Sequence, residues 1–396
     1  MRIGIDGSNI REGGGVTHLV EVLRAAEPKP HGVSRVIFWG GAQTLQKIQD
    51  RPWLEKVHQP LLDRSLPLRR LWQRLLLKNL AQQKGCDLLF CPGGSYTGSF
   101  RPFVAMSQNM LPFEWSEARR YGVSPMLLRL LMVRSSQVSA FKAANSVIYL
   151  SWYAARTIMA ATGLNKPYAV IPHGINRNFF APPRPPRRID NCSSAHPFRI
   201  LYVSTITVFK HQVCVVKAVA RLRREGIPVA LDLVGPPYRP YMNRLKRLLG
   251  EVDPSGMFIR CLGEIPHSIL PSVYRRSELF VFASSCENMP NILLEAMASG
   301  LPIACSNRGP MPEMLGEAGL YFDPEFPEQI ARAMRELVLD RARRRECSDL
   351  AYRRAGQFEW ERCARDMFSF LSRSTTREAE TSASAPPRAP SAGLMR

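Results

Sequence analysis

The chain has 396 residues, 45% of them hydrophobic, which is enough to bury a sizeable core and to make two domains of ordinary size. Its nine cysteines are odd in number, scattered and without a C-x-x-C pair, which argues against a disulfide framework or a zinc site. The net charge of +21 points to polyanionic partners, whether nucleic acid, anionic lipid or phosphate-bearing substrates.

That charge is uneven: residues 1–180 hold 23 Lys/Arg against 10 Asp/Glu, and the remainder holds 31 against 23. No apolar stretch approaches the roughly 20 residues of a membrane-spanning helix. The start, MRIGIDGSNI, lacks the layout of a signal peptide, so the expectation is a globular, cytoplasmic protein.

Along the chain, short β-branched runs bounded by Gly, Pro or polar residues alternate with helical stretches, the pattern of parallel α/β units. In the first half, strands are expected at 1–6, 35–38, 88–90, 103–107, 146–150 and 168–171. In the second half they are expected at 199–204, 229–234, 257–261, 279–283, 302–305 and 319–322. Between the halves, APPRPPRRIDNCSSAHP carries five prolines and reads as a linker over 181–197. The expected organisation is therefore a first domain over 1–180, a second over 198–373, and a disordered tail over 374–396 rich in Ser, Thr, Ala and Pro. A cleft between two α/β domains is a favoured ligand site, reached from the carboxyl ends of the strands.

One stretch concentrates chemistry. In SSCENMPNILLEAMASG, residues 284–300, Glu287 leaves a buried strand on a loop, and Glu295 lies within the first turns of a helix over 292–299 closed by Gly300. The positive helix N-terminus between them suits phosphate, Asn291 can cap it or present its amide, and Pro290 has no N–H to offer. The layout offers one carboxylate to a ligand's reacting end and another to hydroxyls further along, with phosphates between. A nucleotide sugar has that order of groups.

The run from Glu287 to Glu295, with LLEAMASGLPIACSNRGPMPEMLGEAGLYFDP after it, resembles the E-x7-E signature of retaining glycosyltransferases of family 4, the group 1 enzymes with the GT-B fold. FRILYVSTITVFKHQ resembles the opening strand and phosphate loop of that family's nucleotide-binding domain. CLGEIPHSILPSVYRRSELFVFAS, containing Ile265, resembles its base-binding loop and following strand. VIPHGINRNFF resembles the segment leaving the first domain, and GIDGSNIREGGGVTHL the glycine-rich first loop. The likeness runs over roughly residues 1–372, and the carboxyl half carries most of its specificity.

The resemblance implies two Rossmann-like parallel-sheet domains facing each other across a cleft. It also implies that Glu287 faces the donor sugar, that Glu295 hydrogen-bonds the ribose, that backbone amides near Met289 and Asn291 reach sugar or phosphate, and that Lys210 neutralises the diphosphate. The family's usual Arg five positions before that Lys is Thr205 here, which shifts phosphate neutralisation towards Lys210, a helix N-terminus or a residue such as Arg308. Gly13, Gly14 and Gly15 resemble the loop that covers the diphosphate; a G-x-G-x-x-G reading fails because the sixth position is His18, itself read as facing either the helix interior or solvent. In SQNMLPFE, Gln108 and Asn109 stand on the acceptor side where many relatives carry His-Asp, a variant that resembles bacterial polysaccharide and O-antigen enzymes.

The implied activity is retaining transfer of a hexose of mannose, rhamnose or glucose type from a GDP-, UDP- or dTDP-linked donor to a glycan or a polyprenyl-diphosphate-linked acceptor. No D-x-D occurs in the chain, so metal-independent action without a cofactor is expected. The stretch RSLPLRRLWQRLLLKNLAQQKG, 64–85, sets Leu68, Leu71, Trp72, Leu75, Leu76 and Leu80 at helical spacing among Arg64, Arg69, Arg70, Arg74 and Lys78. A second run, 119–142, is similar. Such helices either pack on the core with solvated basic faces or lie on the anionic inner face of the cytoplasmic membrane, with leucines and Trp down. Other readings are an epimerase or phosphorylase on the same scaffold, and a nucleotide-sugar-binding or membrane-scaffold protein that has lost catalysis, to which Thr205 is the pointer. Nucleic-acid binding has no aromatic motif or module to support it.

Overall fold

The computed structural model describes residues 1–11 and 13–375. The expected tail therefore lies outside the described residues from 376 onward. The chain divides into two compact units: Met1–Gly174 joined by the chain from Glu359, and Ile175–Phe358.

The first unit is built on a seven-stranded parallel sheet: β1 (Arg2–Asp6), β2 (Arg35–Gly40), β3 (Leu54–His58), β4 (Leu88–Cys91), β5 (Phe103–Met106), β6 (Ser146–Tyr149) and β7 (Tyr168–Val170), in the order β3-β2-β1-β4-β5-β6-β7. The central strands are apolar along their whole length because both faces are covered: every residue of β4, β5 and β6 is buried. β3 escaped the sequence reading for the opposite reason. It is a half-buried edge strand, LEKVH, whose charged Glu55 and Lys56 interrupt the apolar pattern.

The second unit repeats the design with six parallel strands: β8 (Phe198–Val203), β9 (Val229–Val234), β10 (Ile259–Gly263), β11 (Leu279–Phe282), β12 (Ile303–Ser306) and β13 (Leu320–Phe322), in the order β10-β9-β8-β11-β12-β13. This is the doubly wound, Rossmann-like order, in which the winding reverses between β8 and β11. Crossover helices such as Gln212–Arg224 and Pro327–Leu339 cover the sheet with apolar stripes, Val215, Val216, Val219 and Leu222 on the first of these two.

Two expectations about domain limits change. The last helix among the described residues, Trp360–Arg373, was assigned to the second domain, yet it belongs to the first unit. Its Cys363, Ala364, Met367, Phe368, Phe370 and Leu371 form one buried face, and it packs against the helix Gly14–Ala25. Residues 181–197 are not a free linker but part of the second unit. Proline removes donors and blocks regular structure, and it leaves carbonyls to be satisfied by side chains. Arg187 donates to the Asn191 and His196 carbonyls at 2.8 and 3.0 Å, and the buried Arg344 donates to the Arg187 carbonyl at 2.5 Å.

The basic helical stretch is also rearranged. It forms two helices, Leu66–Leu75 and Leu77–Gln83, that break at Leu76. Trp72 is fully buried and its indole N–H donates to Gln59 at 3.1 Å, so it is a core residue and not part of an outward leucine face. Leu68, Leu71, Leu75 and Leu76 do face outward, as do Leu128, Leu131 and Met132 of the helix Pro125–Ala143. Among the described residues no helix is long and apolar enough to cross a membrane.

Candidate functional site

In the second unit Lys210 and Glu287 lie in the segments that follow β8 and β11, the two strands between which winding reverses; Glu295 lies in the next helix, and Ile265 follows the edge strand β10. β8 runs into Ser204 and Thr205, then a 3-10 turn Val208–Lys210, then the helix Gln212–Arg224. His211 joins turn to helix in the left-handed region at φ 50°, a conformation uncommon for non-glycine residues but one that His adopts more readily than most. Its Nε2 pairs with the Ser285 hydroxyl at 2.9 Å, and the Ser285 backbone N–H donates to the Phe209 carbonyl at 2.9 Å. The loop after β8 is thus tied to the loop after β11. Gly235, just past β9, lets a third loop approach closely: a Cβ there would lie 2.1 Å from the Ser204 carbonyl oxygen.

This tie brings Lys210 and Glu287, 77 residues apart, into an ion pair, Nζ donating to Oε1. Both side chains are largely buried, at 9% and 14% exposure. Two charges held so close at the edge of solvent are each the other's counter-ion, and an arriving anion or polyol has one of each to engage. The Lys210 ammonium also lies 5.3 Å from the centre of the Phe282 ring.

Glu295 occupies the second turn of the helix Asn291–Ala298 and is 4% exposed. Its Oε2 accepts from the buried Tyr274 hydroxyl at 3.0 Å, and its Oε1 is 3.0 Å from His267 Nε2. Burial and the adjacent Glu295 charge push the Tyr274 phenol well up, so it remains a donor. The helix starts at Pro290, without a side-chain cap. Asn291 therefore does not cap it, and its buried Oδ1 has no hydrogen-bond partner among the described residues. Met289 is buried beside it, Ile265 is half-buried in the loop after β10, and Thr205 is exposed with its carbonyl accepting from Gln212 at 3.0 Å. Arg308, the other candidate for phosphate, is tied to Asp323 at 2.5 Å.

The remaining predicted residues belong to the first unit. Gly13 sits at φ 71° and Gly14 and Gly15 open the helix Gly14–Ala25. Gly15 and Gln108 are neighbours: a Cβ on Gly15 would lie 2.3 Å from Gln108 Oε1. Asn109 is exposed, its Oδ1 accepting from the Leu111 N–H at 3.1 Å. His18 faces neither solvent nor the interior of its helix; it is fully buried with Nδ1 2.7 Å from Nδ1 of His173, and both rings lie against Trp360. Burial drives both imidazoles down, His18 also through the neighbouring His173, and His173 to about 3. One ring must then donate and the other accept, which holds both neutral.

Sequence reasoning missed His267, Tyr274, His211, Ser285 and His173 as partners. His267 was within the quoted base-binding loop, two residues past Ile265, but no spacing ties it to a glutamate 28 residues on. Among the described residues no group of three or more His, Cys, Asp or Glu lies together in a way that would hold a metal ion.

Residues 188–354 match the family described as glycosyl transferases group 1, which places that domain within the second unit. Of curated proteins, the O-antigen chain mannosyltransferase B of Escherichia coli is 36% identical over 106 residues, 27% of this chain and 28% of that protein. The D-inositol 3-phosphate glycosyltransferase of Corynebacterium jeikeium is 30% identical over 177 residues, 42% of each. The chain thus spans under half the length of these relatives. Among solved structures, Anabaena Alr3699/HepE in complex with UDP superposes with a TM-score of 0.65 at 18% identity, over 94% of this chain and 99% of that one. At that identity the likeness shows the fold, which is that of the GT-B glycosyltransferases.

Proposed function

We propose that the protein is a glycosyltransferase that moves a hexose of mannose, rhamnose or glucose type from a nucleotide-diphosphate sugar to a glycan or lipid-linked acceptor in cell-surface polysaccharide synthesis, with retention at the anomeric carbon. The observation that carries this reading is the Lys210–Glu287 pair at the reversal point of the second sheet, with Glu295 held further along the adjoining helix. An anionic diphosphate would draw the Lys210 ammonium towards itself and release the Glu287 carboxylate to the donor sugar's hydroxyls. Glu295, already gripped on both oxygens, keeps lone pairs for ribose hydroxyls. The similarity of 106 residues of the chain to an O-antigen chain mannosyltransferase supports the polysaccharide context.

In this scheme the bond from the anomeric carbon to the diphosphate oxygen breaks as the acceptor oxygen bonds the same face. The acceptor's proton passes to the departing diphosphate. The protein supplies position and charge: Lys210 offsets the growing negative charge on the leaving group, and Glu287 stabilises the cationic sugar. No metal ion is required by these roles. The outward leucines at 68, 71, 75 and 76, with exposed Arg64, Arg74 and Lys78, are the face we assign to an anionic membrane surface on the cytoplasmic side, where a polyprenyl-diphosphate-linked acceptor would lie.

The test is thermal unfolding with GDP, UDP and dTDP in turn, with and without EDTA. Ligand at about 100 times its dissociation constant adds about 2.7 kcal/mol to stability. Stabilisation by one nucleotide, indifferent to EDTA and lost in Glu295→Ala, is the expected result. Stabilisation by none of the three would refute the donor-site reading.

A further inference from the structure

The loop that follows β10 carries an imidazole whose position the proposed donor site does not by itself require. His267 Nε2 lies 3.0 Å from Glu295 Oε1, and its side chain is half-exposed at 49%, whereas Glu295 is enclosed. The ring packs on Phe179, centroids 5.1 Å apart, and Phe179 in turn lies edge-on to Tyr274, whose hydroxyl holds the other oxygen of the same carboxylate. Phe179 is fully buried and belongs to the segment entering the second unit, in the 3-10 turn Arg177–Phe179. The carboxylate is thus gripped from two sides by donors that share one aromatic support.

A carboxylate on a flexible two-carbon stem rotates freely about its terminal torsion unless both oxygens are engaged. Tyr274 alone leaves that rotation open on the solvent side. With His267 donating to Oε1, the plane is set, and the lone pairs that remain point away from both donors. A pair of vicinal hydroxyls needs such an arrangement, one acceptor for each O–H at a fixed separation.

We infer that His267 is a positioning residue for nucleotide binding, orienting Glu295 so that it accepts from both hydroxyls of a ribose and thereby sets the preference for ribonucleotide over 2′-deoxyribonucleotide donors, which selects GDP and UDP over the 2′-deoxy dTDP among the three candidate nucleotides. This rests on the reading of Glu295 as the ribose acceptor. His267 acts through Glu295, assigned here to the ribose, whereas Lys210 and Glu287 serve the reacting end. Its loss therefore acts on donor KM and leaves kcat within about twofold. Loss of one hydrogen bond to a charged acceptor corresponds to at least about tenfold in affinity, ~1.4 kcal/mol.

The experiment measures dissociation constants of UDP and GDP and of their 2′-deoxy forms by calorimetry for the full chain and for His267→Ala, His267→Gln and Glu295→Ala. The expected result is that His267→Ala weakens the ribonucleotide about tenfold and leaves the deoxy form within about threefold, so that discrimination collapses as in Glu295→Ala. His267→Gln, whose amide N–H reaches the same oxygen, retains discrimination. If Glu295→Ala abolishes discrimination and His267→Ala keeps the wild-type ratio, the positioning role is overturned while the donor site stands. If Glu295→Ala itself leaves nucleotide binding unchanged, the donor-site reading fails and this inference with it.

Discussion

Acidification should loosen the first unit through its buried histidine pair. His18 and His173 are shielded from water, their Nδ1 atoms 2.7 Å apart, and burial holds both well below the ordinary value of 6.5, His173 at about 3. In the unfolded chain each titrates near 6.5. Their folded-state values are depressed, so the unfolded chain takes up protons first as the pH falls. The stability that the neutral pair confers is complete above about pH 6.5 and is lost as the pH drops towards the folded-state values. At ~1.36 kcal/mol per pH unit below the unfolded value, going from pH 7 to pH 5 costs about 2 kcal/mol through His173, and the depressed His18 acts in the same direction. That is a large part of the total stability of a typical domain. Urea unfolding followed by circular dichroism at pH 7, 6 and 5 measures it, with His173→Asn as the control that removes one group. The variant should lose about 2 kcal/mol less than wild type across that interval. Equal losses in the two proteins, within about 0.5 kcal/mol, would refute the assignment of the pair as neutral and buried.

Glu287→Ala and Lys210→Met should each lower transfer by at least about 100-fold, as expected for loss of a preorganised charge at a reacting centre. Each should also cost about 3 kcal/mol of stability by leaving its partner unpaired. The double variant Lys210→Met/Glu287→Leu should recover most of the stability and none of the activity, which a denaturation curve and a single-turnover assay separate. Replacing Leu71 and Leu75 together by Glu, at positions 47% and 59% exposed, should weaken sedimentation with phosphatidylserine vesicles by tenfold or more while nucleotide affinity is unchanged. Vesicle binding that survives the change would remove this face from the membrane reading.

The sequence disclosed whatever is local and apolar. β9 as VALDLV and β11 as LFVF are buried runs between breakers, and a strand covered on both faces needs no alternation. The glutamates of the candidate site, Lys210 and the glycine loop were read from spacing and resemblance; Lys210, Glu287 and the glycine loop lie in the segments that follow β8, β11 and β1, and Glu295 in the helix after Glu287. β3 was not legible, since an edge strand half open to water keeps its Glu55 and Lys56. Trp72 was misplaced because it sits one residue, about 100°, round the helix Leu66–Leu75 from the exposed Leu71, towards the buried Gln73, so leucine and tryptophan at near-helical spacing do not share one face.

What the sequence determined by itself was therefore the repeating β-α units and the residue types poised at their ends. Tertiary structure decided the partners: which helix closes the first unit, where the proline-rich segment docks, that Lys210 is neutralised by Glu287, that Glu295 is held by His267 and Tyr274, and that His18 meets His173, 155 residues away. The physical reason is one of range. Backbone preference and burial pattern act over a few residues, whereas a buried polar group must find its partner wherever the packed chain brings a complementary atom within about 3 Å.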